Sequence, residues 1–238
     1  MSRDQLDLFV AFVGDIPLRD DREAMSAPLV SISKNRRSKI DWTGPSGQRV
    51  VVTAPEEIGI ATVWDLDIIL WAVSQLNEAV ENGIKPSATV TFRPYDMLKA
   101  IGRDTSGRSY NDLKAALIRL RRTSVSTTIR KSKKERSVDF NMLSDFVLDE
   151  DYQGRPMGMQ ITIPRWLHKA VVEGREVLAI SPKYFELTSG IDRFLYRLAR
   201  RHAGKQPLGW RFSFKDLHGR SGSAQTYGGF SRDLRKAI

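Results

Sequence analysis

Residues 92–136 read FRPYDMLKAIGRDTSGRSYNDLKAALIRLRRTSVSTTIRKSKKER, and the order of local signals in this stretch decides the fold. Pro94 pre-sets the first turn of a short helix carrying Tyr95, Leu98 and Ile101, and Gly102 suits the left-handed residue after a helix end. A turn over 103–107 follows. Ser106 or Ser109 then offers an N-cap for a second helix, whose apolar residues Tyr110, Leu113, Ala116, Leu117 and Leu120 recur at helical spacing. Next, Val125, Thr127 and Ile129 alternate with Ser126 and Thr128. The run breaks at Arg130, Lys131, Ser132, Lys133 and Lys134 and resumes at Val138 and Phe140. Helix, turn, helix and a hairpin with a basic tip is the order of a winged helix-turn-helix, whose second helix enters a major groove. Two amphipathic helices around a glycine turn also occur in ordinary helical packing, so charge has to decide. From Arg93 to Arg136 there are thirteen Lys and Arg against four Asp and Glu, an excess that favours a polyanionic partner.

The rest of the composition agrees. A chain of 238 residues suits one large domain or two small ones, and a hydrophobic fraction of 41% with five Trp indicates a folded core rather than a basic tail. The net charge of +10 is unevenly placed: residues 191–238 hold eleven basic and three acidic side chains, while the sequence outside the two basic blocks is net acidic. The absence of cysteine excludes disulfides, thiolate-held zinc and thiol catalysis, and suits a reducing cytosol. The apolar run 8–13 is too short for a signal peptide or a membrane span, so a soluble cytoplasmic protein without membrane association is expected.

Along the chain, 8–13 fits a strand or a buried helical turn equally, and Asp15 to Arg22 reads as extended or loop. For Lys34, Arg36, Arg37 and Lys39 a solvated loop fits as well as a phosphate contact. Two strands, 39–42 and 49–53, flank a Gly-Pro-Ser-Gly turn. Thr62 with Asp65 forms a capping box for a helix from Val63 to about Asn82, whose Trp64, Ile68, Trp71, Ala72, Leu76 and Val80 make a core stripe that Gly83 ends. A short strand, 88–92, leads into the stretch quoted above. Beyond the wing, strands over 139–148 and 159–163, a short helix after Pro164, a strand over 177–180 and a short helix from Pro182 are expected to add a sheet layer.

From Ile191 the pattern restarts. An amphipathic helix with Ile191, Phe194, Leu195, Leu198 and Ala199 precedes a short strand through Trp210, Phe212 and Phe214, then Gly219-Arg220, a Ser/Gly-rich turn and a helix from about Tyr227. Asp112 to Leu117 matches Asp233 to Ile238 at an offset of 121, and Gly102-Arg103 matches Gly219-Arg220 at 117, which predicts a second turn four residues longer. The fold class is therefore α+β: an N-terminal extension with a β-hairpin (1–60) packing on a first winged helix with extra strands (61–188), then a second winged helix (189–238) cut short before its wing. A longer natural chain is expected from that cut.

Two winged helices behind a long N-terminal extension resemble the plasmid replication initiators, and among them the replication initiator protein A family. The segments that carry the resemblance are Pro17-Leu18-Arg19-Asp20-Asp21-Arg22 with Pro28-Leu29-Val30, Trp64-Asp65-Leu66-Asp67-Ile68, Phe92-Arg93-Pro94-Tyr95, and Arg108-Ser109-Tyr110 running into Leu113-Lys114-Ala115-Ala116-Leu117. The resemblance spans most of the chain. It implies binding to repeated duplex sites (iterons) at a plasmid origin, help in opening it, recruitment of a host replication initiator and helicase, and repression of the protein's own promoter. It also implies a homodimer through the first winged helix during repression and monomers on the repeats. The missing second wing departs from the family.

On this basis Arg108, Asn111 and Lys114 are expected nearest the base edges, since Asn suits adenine and Arg suits guanine through paired hydrogen bonds. Arg103, Ser106, Ser109, Arg119, Arg121 and Arg122 join them in the interface, mainly on phosphates, and Arg130, Lys131, Lys133 and Lys134 reach backbone or minor groove from the wing. Arg220, Ser223, Gln225, Thr226, Ser231, Arg232 and Arg235 take parallel roles in the second block. No phosphate-cradling glycine loop occurs, the three histidines are isolated, and Asp149-Glu150-Asp151 suits a solvated loop. No enzyme activity, cofactor or metal is expected. The rivals are a transcriptional repressor of the same fold, a basic RNA-binding or scaffold protein, and a metal-dependent nuclease.

Overall fold

The apolar run after Thr62 forms a helix buried on nearly every side, and the other elements pack around it. The computed structural model describes residues 8–22, 24–36, 38–129, 137–154, 156–174, 176–203, 206–207 and 209–238. In chain order the first elements are β1 (Leu8–Val10), β2 (Arg19–Asp21), β3 (Ile40–Thr43), β4 (Arg49–Thr53), α1 (Leu66–Glu81), β5 (Thr89–Phe92), α2 (Pro94–Ala100), α3 (Gly107–Arg122) and β6 (Ser124–Thr127). The remainder are β7 (Val138–Asn141), β8 (Asp145–Glu150), β9 (Pro156–Thr162), α4 (Arg165–Val172), β10 (Val177–Ala179), α5 (Gly190–His202), α6 (Phe214–Ser221) and α7 (Tyr227–Ala237). Single 3-10 turns lie at Ala24–Ser26 and Pro182–Glu186.

The capping pair forms: Thr62 N–H donates to Asp65 Oδ2 at 2.8 Å and Asp65 N–H to Thr62 Oγ1 at 3.3 Å. It closes a lead-in turn, and the regular helix begins at Leu66 rather than Val63. Buried polar groups of α1 are hydrogen-bonded, as such groups must be, and two of them hold another segment. Ser74 Oγ accepts from Arg19 N–H at 2.7 Å, and the Gln75 amide brackets the Phe12 backbone at 2.8 and 3.2 Å. Trp64 is half-buried, with the Lys34 ammonium 5.2 Å from its ring centroid.

Two four-stranded sheets flank α1. One has the order β1-β5-β9-β8, with β1 parallel to β5 and the other pairs antiparallel. Its inner face delivers Phe9, Val90, Phe92, Met159 and Ile161 to the core, and Phe92 meets Trp71 of α1 at 4.7 Å between centroids. The other has the order β3-β4-β6-β7, so the N-terminal hairpin extends the β6–β7 hairpin behind α3. The segment expected as one strand over 139–148 is two, β7 and β8, in different sheets. Met142 and Leu143 are both buried, which breaks the alternation, and Ser144 N–H turns to the Thr162 carbonyl at 3.0 Å.

One open reading is resolved and three further expectations change. Residues 8–10 are a strand. The charged stretch read as loop contains β2, paired with β10, in which Asp20 and Asp21 are each only 2% exposed. No strand runs through Trp210 and Phe212 among the described residues; both rings lie against His202, 5.3 and 5.2 Å from it, and Phe214 opens α6. In α2 the buried partner of Leu98 and Ile101 is Met97, while Tyr95 faces solvent.

The second half repeats the α2–turn–α3 geometry. Gly102 (φ 69°) and Gly222 (φ 60°) both adopt the left-handed conformation glycine supplies, and Ser106 and Thr226 stand at the N-cap position of the next helix four residues later in each case, where only the Thr226 hydroxyl accepts a cap bond. From the glycine to the start of the next helix the offset is 120, so the second turn is not four residues longer. The match of Gly102 to Gly219 is thereby corrected, since Gly219 lies within α6. A small core of Phe194, Leu198, Leu217, Phe230 and Leu234 joins α5, α6 and α7, and Ile32 from the N-terminal segment completes it.

That segment spans both halves. Arg36 donates to the Gly222 carbonyl, the ring of Trp42 lies against Gly219, and Gly190 approaches Ile32 so closely that a Cβ there would sit 1.9 Å from the Ile32 carbonyl oxygen. Beside Gly190 on α5, buried Arg193 pairs with Asp67 of α1 at 2.5 Å and buried Arg197 with Asp20 of β2 at 2.6 Å.

Candidate nucleic-acid interface

The residues buried on α3 are Tyr110, Leu113, Ala116, Leu117 and Leu120, the same five that helical spacing marks in the sequence. Opposite them, at spacings of three and four, lie Arg108, Asn111, Ala115, Ile118 and Arg122. At 1.5 Å per residue this 16-residue helix spans about 24 Å, enough to cross a groove. Ser106 is the N-cap residue; Ser106 N–H and Ser109 Oγ both donate to Asp104 Oδ2 at 3.3 Å, and that exposed carboxylate is held below its ordinary range by the Ser106 side chain first and the Ser106 N–H next.

Several candidate cations are tied to carboxylates. Arg119 grips Asp65 with two bonds, Nε to Oδ2 at 2.8 Å and Nη2 to Oδ1 at 2.7 Å, and so locks α3 to the start of α1. Arg103 donates to Asp67 Oδ2 at 3.0 Å and to the Trp64 carbonyl. Lys114 Nζ meets Glu150 Oε1 of β8 at 2.7 Å, and the Tyr110 hydroxyl donates to the same oxygen at 3.1 Å. The Glu150 carboxyl is held low by Lys114 first and Tyr110 second, whereas burial and Glu150 push the Tyr110 phenol up to about 12. Tyr110 thus remains a donor at neutral pH. Arg121 lies 3.2 Å from Asp145, with both side chains about half exposed.

Among the described residues, none hydrogen-bonds or ion-pairs the side chains of Arg108, Asn111 or Arg122. Beside this face a cleft of about 620 Å³ runs between the turn at 102–104, with Ser109, Asp112 and Arg119, and a wall including Lys34 and Phe185.

In the second half, Arg220 forms a forked pair with Asp216 at 3.0 and 3.1 Å, donates to the Ser26 carbonyl at 3.2 Å and lies over Trp42 and Phe212. Ser231 is buried, Ser223 Oγ accepts from Gln225 N–H, and the Gln225 side chain donates to Asp233 at 2.8 Å. Thr226 Oγ1 accepts from Gly229 N–H at 3.3 Å as the α7 cap. Arg232 and Arg235 are exposed, the latter over the Phe214 ring at 5.3 Å. Arg130, Lys131, Lys133 and Lys134 lie outside the described residues. The carboxylate partners were weak signals in the sequence: Asp216–Arg220 is legible as an i,i+4 pair, but Asp65, Asp67 and Glu150 reach their cations only through the fold.

The fold is shared with crystal structures of domains 2 and 3 of RctB. One, a selenomethionine derivative, superposes with a TM-score of 0.63 over 91% of this chain and 84% of that one at 15% identity. A second gives 0.56 over 91% and 80% at 16% identity. The architecture is thus that of an α+β protein of the RctB domain 2–3 type. The family model for replication initiator protein A matches residues 19–238, and a Wigglesworthia glossinidia brevipalpis protein named for replication is 34% identical over 196 residues, 81% of this chain and 70% of that protein. The chain belongs to the replication initiator protein A family. Among the described residues no helix is long and apolar enough to cross a membrane.

Proposed function

We propose that the chain starts plasmid replication by binding repeated origin sites in duplex DNA through two winged helices, without catalysing a reaction itself. The observation that carries this reading is the outer face of α3, where Arg108, Asn111 and Arg122 keep their donors open although neighbouring cations are held by carboxylates. Family membership and the net charge of +10 support it. In this reading α3 enters the major groove with Asn111 and Arg108 toward base edges, the β6–β7 hairpin is the wing, and Arg121 and Arg122 meet phosphates. Arg103, Arg119 and Arg220 act as positioning residues, as does Lys114 while Glu150 holds it. Arg232 and Arg235 present the second half to the next stretch of duplex.

Selection of bound duplexes from a random pool, with the salt dependence of the winner, tests this. Enrichment of a sequence that recurs in tandem at a plasmid origin supports the initiator. A lone palindrome beside a promoter would favour a repressor, and equal affinity for every duplex would remove sequence reading altogether. On the selected site, Asn111→Ala should cost about 1–3 kcal/mol and relax preference at one position. Lys133→Ala should weaken all duplexes alike and lower the salt slope by about 1.

A further inference from the structure

One residue on the outer face of α3 has no place in an electrostatic account. Ile118 is 43% exposed, although the buried stripe of its helix is complete without it. It stands one turn beyond half-buried Ala115, two turns beyond Asn111 and one turn before Arg122, all on the same face. A single exposed isoleucine on a protein surface is ordinary. Its neighbours make this one informative. Along that face Arg122 lies one turn on, with Arg121 beside it, and Asn111 and Arg108 lie two and nearly three turns back, so on α3 itself the outward apolar side chains are Ile118 and Ala115, with donors before and after them. A protein-binding patch needs a broader apolar core. The size and setting fit an apolar group that itself lies among hydrogen-bonding edges and phosphates, and the major groove offers one, the thymine 5-methyl.

We infer that Ile118, with Ala115 beside it, reads thymine methyl groups in the bound site. This rests on the proposal that α3 enters the major groove. Asn111 and Ile118 are seven residues apart, about 10 Å along the helix, so the methyl contact falls within about three base-pair steps of the base that Asn111 reads. Hydrogen bonds from Asn111 and Arg108 then distinguish purines, and Ile118 distinguishes thymine from cytosine by shape and hydration rather than by a donor.

The test uses the full chain and the duplex selected from the random pool, with each thymine replaced singly by uracil, which lacks only the methyl. Fluorescence anisotropy at fixed salt should show a loss of about fourfold at one or two thymines for the native chain, the factor expected from burying one methyl-sized group. Ile118→Ala, a change at an exposed helical position, should bind the thymine duplex about fourfold more weakly and lose sensitivity to uracil at those same positions. A native chain indifferent to every uracil would overturn the inference while leaving sequence reading intact. An Ile118→Ala chain that kept the full uracil penalty would overturn it too, because another residue would be the reader. If the pool selects no sequence at all, the groove-binding proposal fails first and this inference with it.

Discussion

The α2–turn–α3 and α6–turn–α7 units share a left-handed glycine and a hydroxyl residue at the N-cap position four residues on, yet they are secured differently. The first is built into a large core. Its helices rest on α1 and two sheets, and a Cβ added at Gly102 would meet nothing within 4 Å. The second owns few core residues, borrows Ile32, and is moored by Arg36 and Trp42 of the N-terminal segment and by two buried ion pairs on α5. Glycine illustrates the contrast. Gly102 is needed for its backbone angle alone, whereas Gly222 also leaves room for Pro28 and Ile40, which would lie 2.9 and 3.3 Å from an added Cβ. One local geometry can therefore be a property of a turn in one place and of the whole chain in another.

The strongest way to break the comparison is at the mooring. Arg197→Ala strips the partner from a carboxylate that is itself buried and should cost about 3–5 kcal/mol, whereas replacing Asp20 and Arg197 together by leucines should cost far less, because a matched apolar pair leaves no stranded charge. Urea unfolding of the two variants checks this. Equal losses would mean that packing, not charge, holds α5.

Next in size is the glycine pair. Gly102→Ala should cost about 1–2 kcal/mol for left-handed strain, and Gly222→Ala about twice that, since Pro28 or Ile40 must also shift. Limited proteolysis of Gly222→Ala should cut first within the C-terminal half. Identical melting losses for both variants would remove the distinction between the two turns.

The smallest effect concerns the latch behind α3. The folded Tyr110 phenol titrates near 12 against about 10 unfolded, so its contribution to stability is complete below pH 10 and is lost as pH rises from 10 to 12. Ultraviolet titration should find Tyr110 ionising late, together with Tyr184, whose phenol burial pushes up further, and Glu150→Gln should bring the Tyr110 midpoint down while leaving the Tyr184 one in place. An unmoved midpoint would mean that burial alone raises it.

The part of the fold most legible in the sequence was the part with local causes. Pro94, Gly102 and the five-residue stripe of α3 specify their helices from neighbouring residues. The candidate interface was less legible, because what a lysine or arginine does depends on whether a carboxylate arrives from elsewhere. Arg119 finds Asp65, 54 positions back, and Lys114 finds Glu150, 36 positions ahead. Asp20 and Asp21 misled in the opposite sense: two adjacent acids look like a loop until the partner strand β10 and Arg197 enclose them. Some signals were present but local pattern did not weigh them, notably the i,i+4 spacing of Arg193 and Arg197 beside that of Phe194 and Leu198, which gives α5 two working faces.

The pairing of Asp20 with Arg197 has a consequence in time. The two residues are 177 positions apart, so a ribosome adding 5–20 residues per second makes the aspartate about 10–35 s before the arginine exists. Throughout that interval the nascent N-terminal half carries an acid with no counter-charge where β10 and α5 will later close over it. The native arrangement of this half of the protein is therefore sealed late relative to its own synthesis, by an arginine made 177 positions after the acid, and slowing translation ahead of α5 should prolong an open, protease-sensitive intermediate.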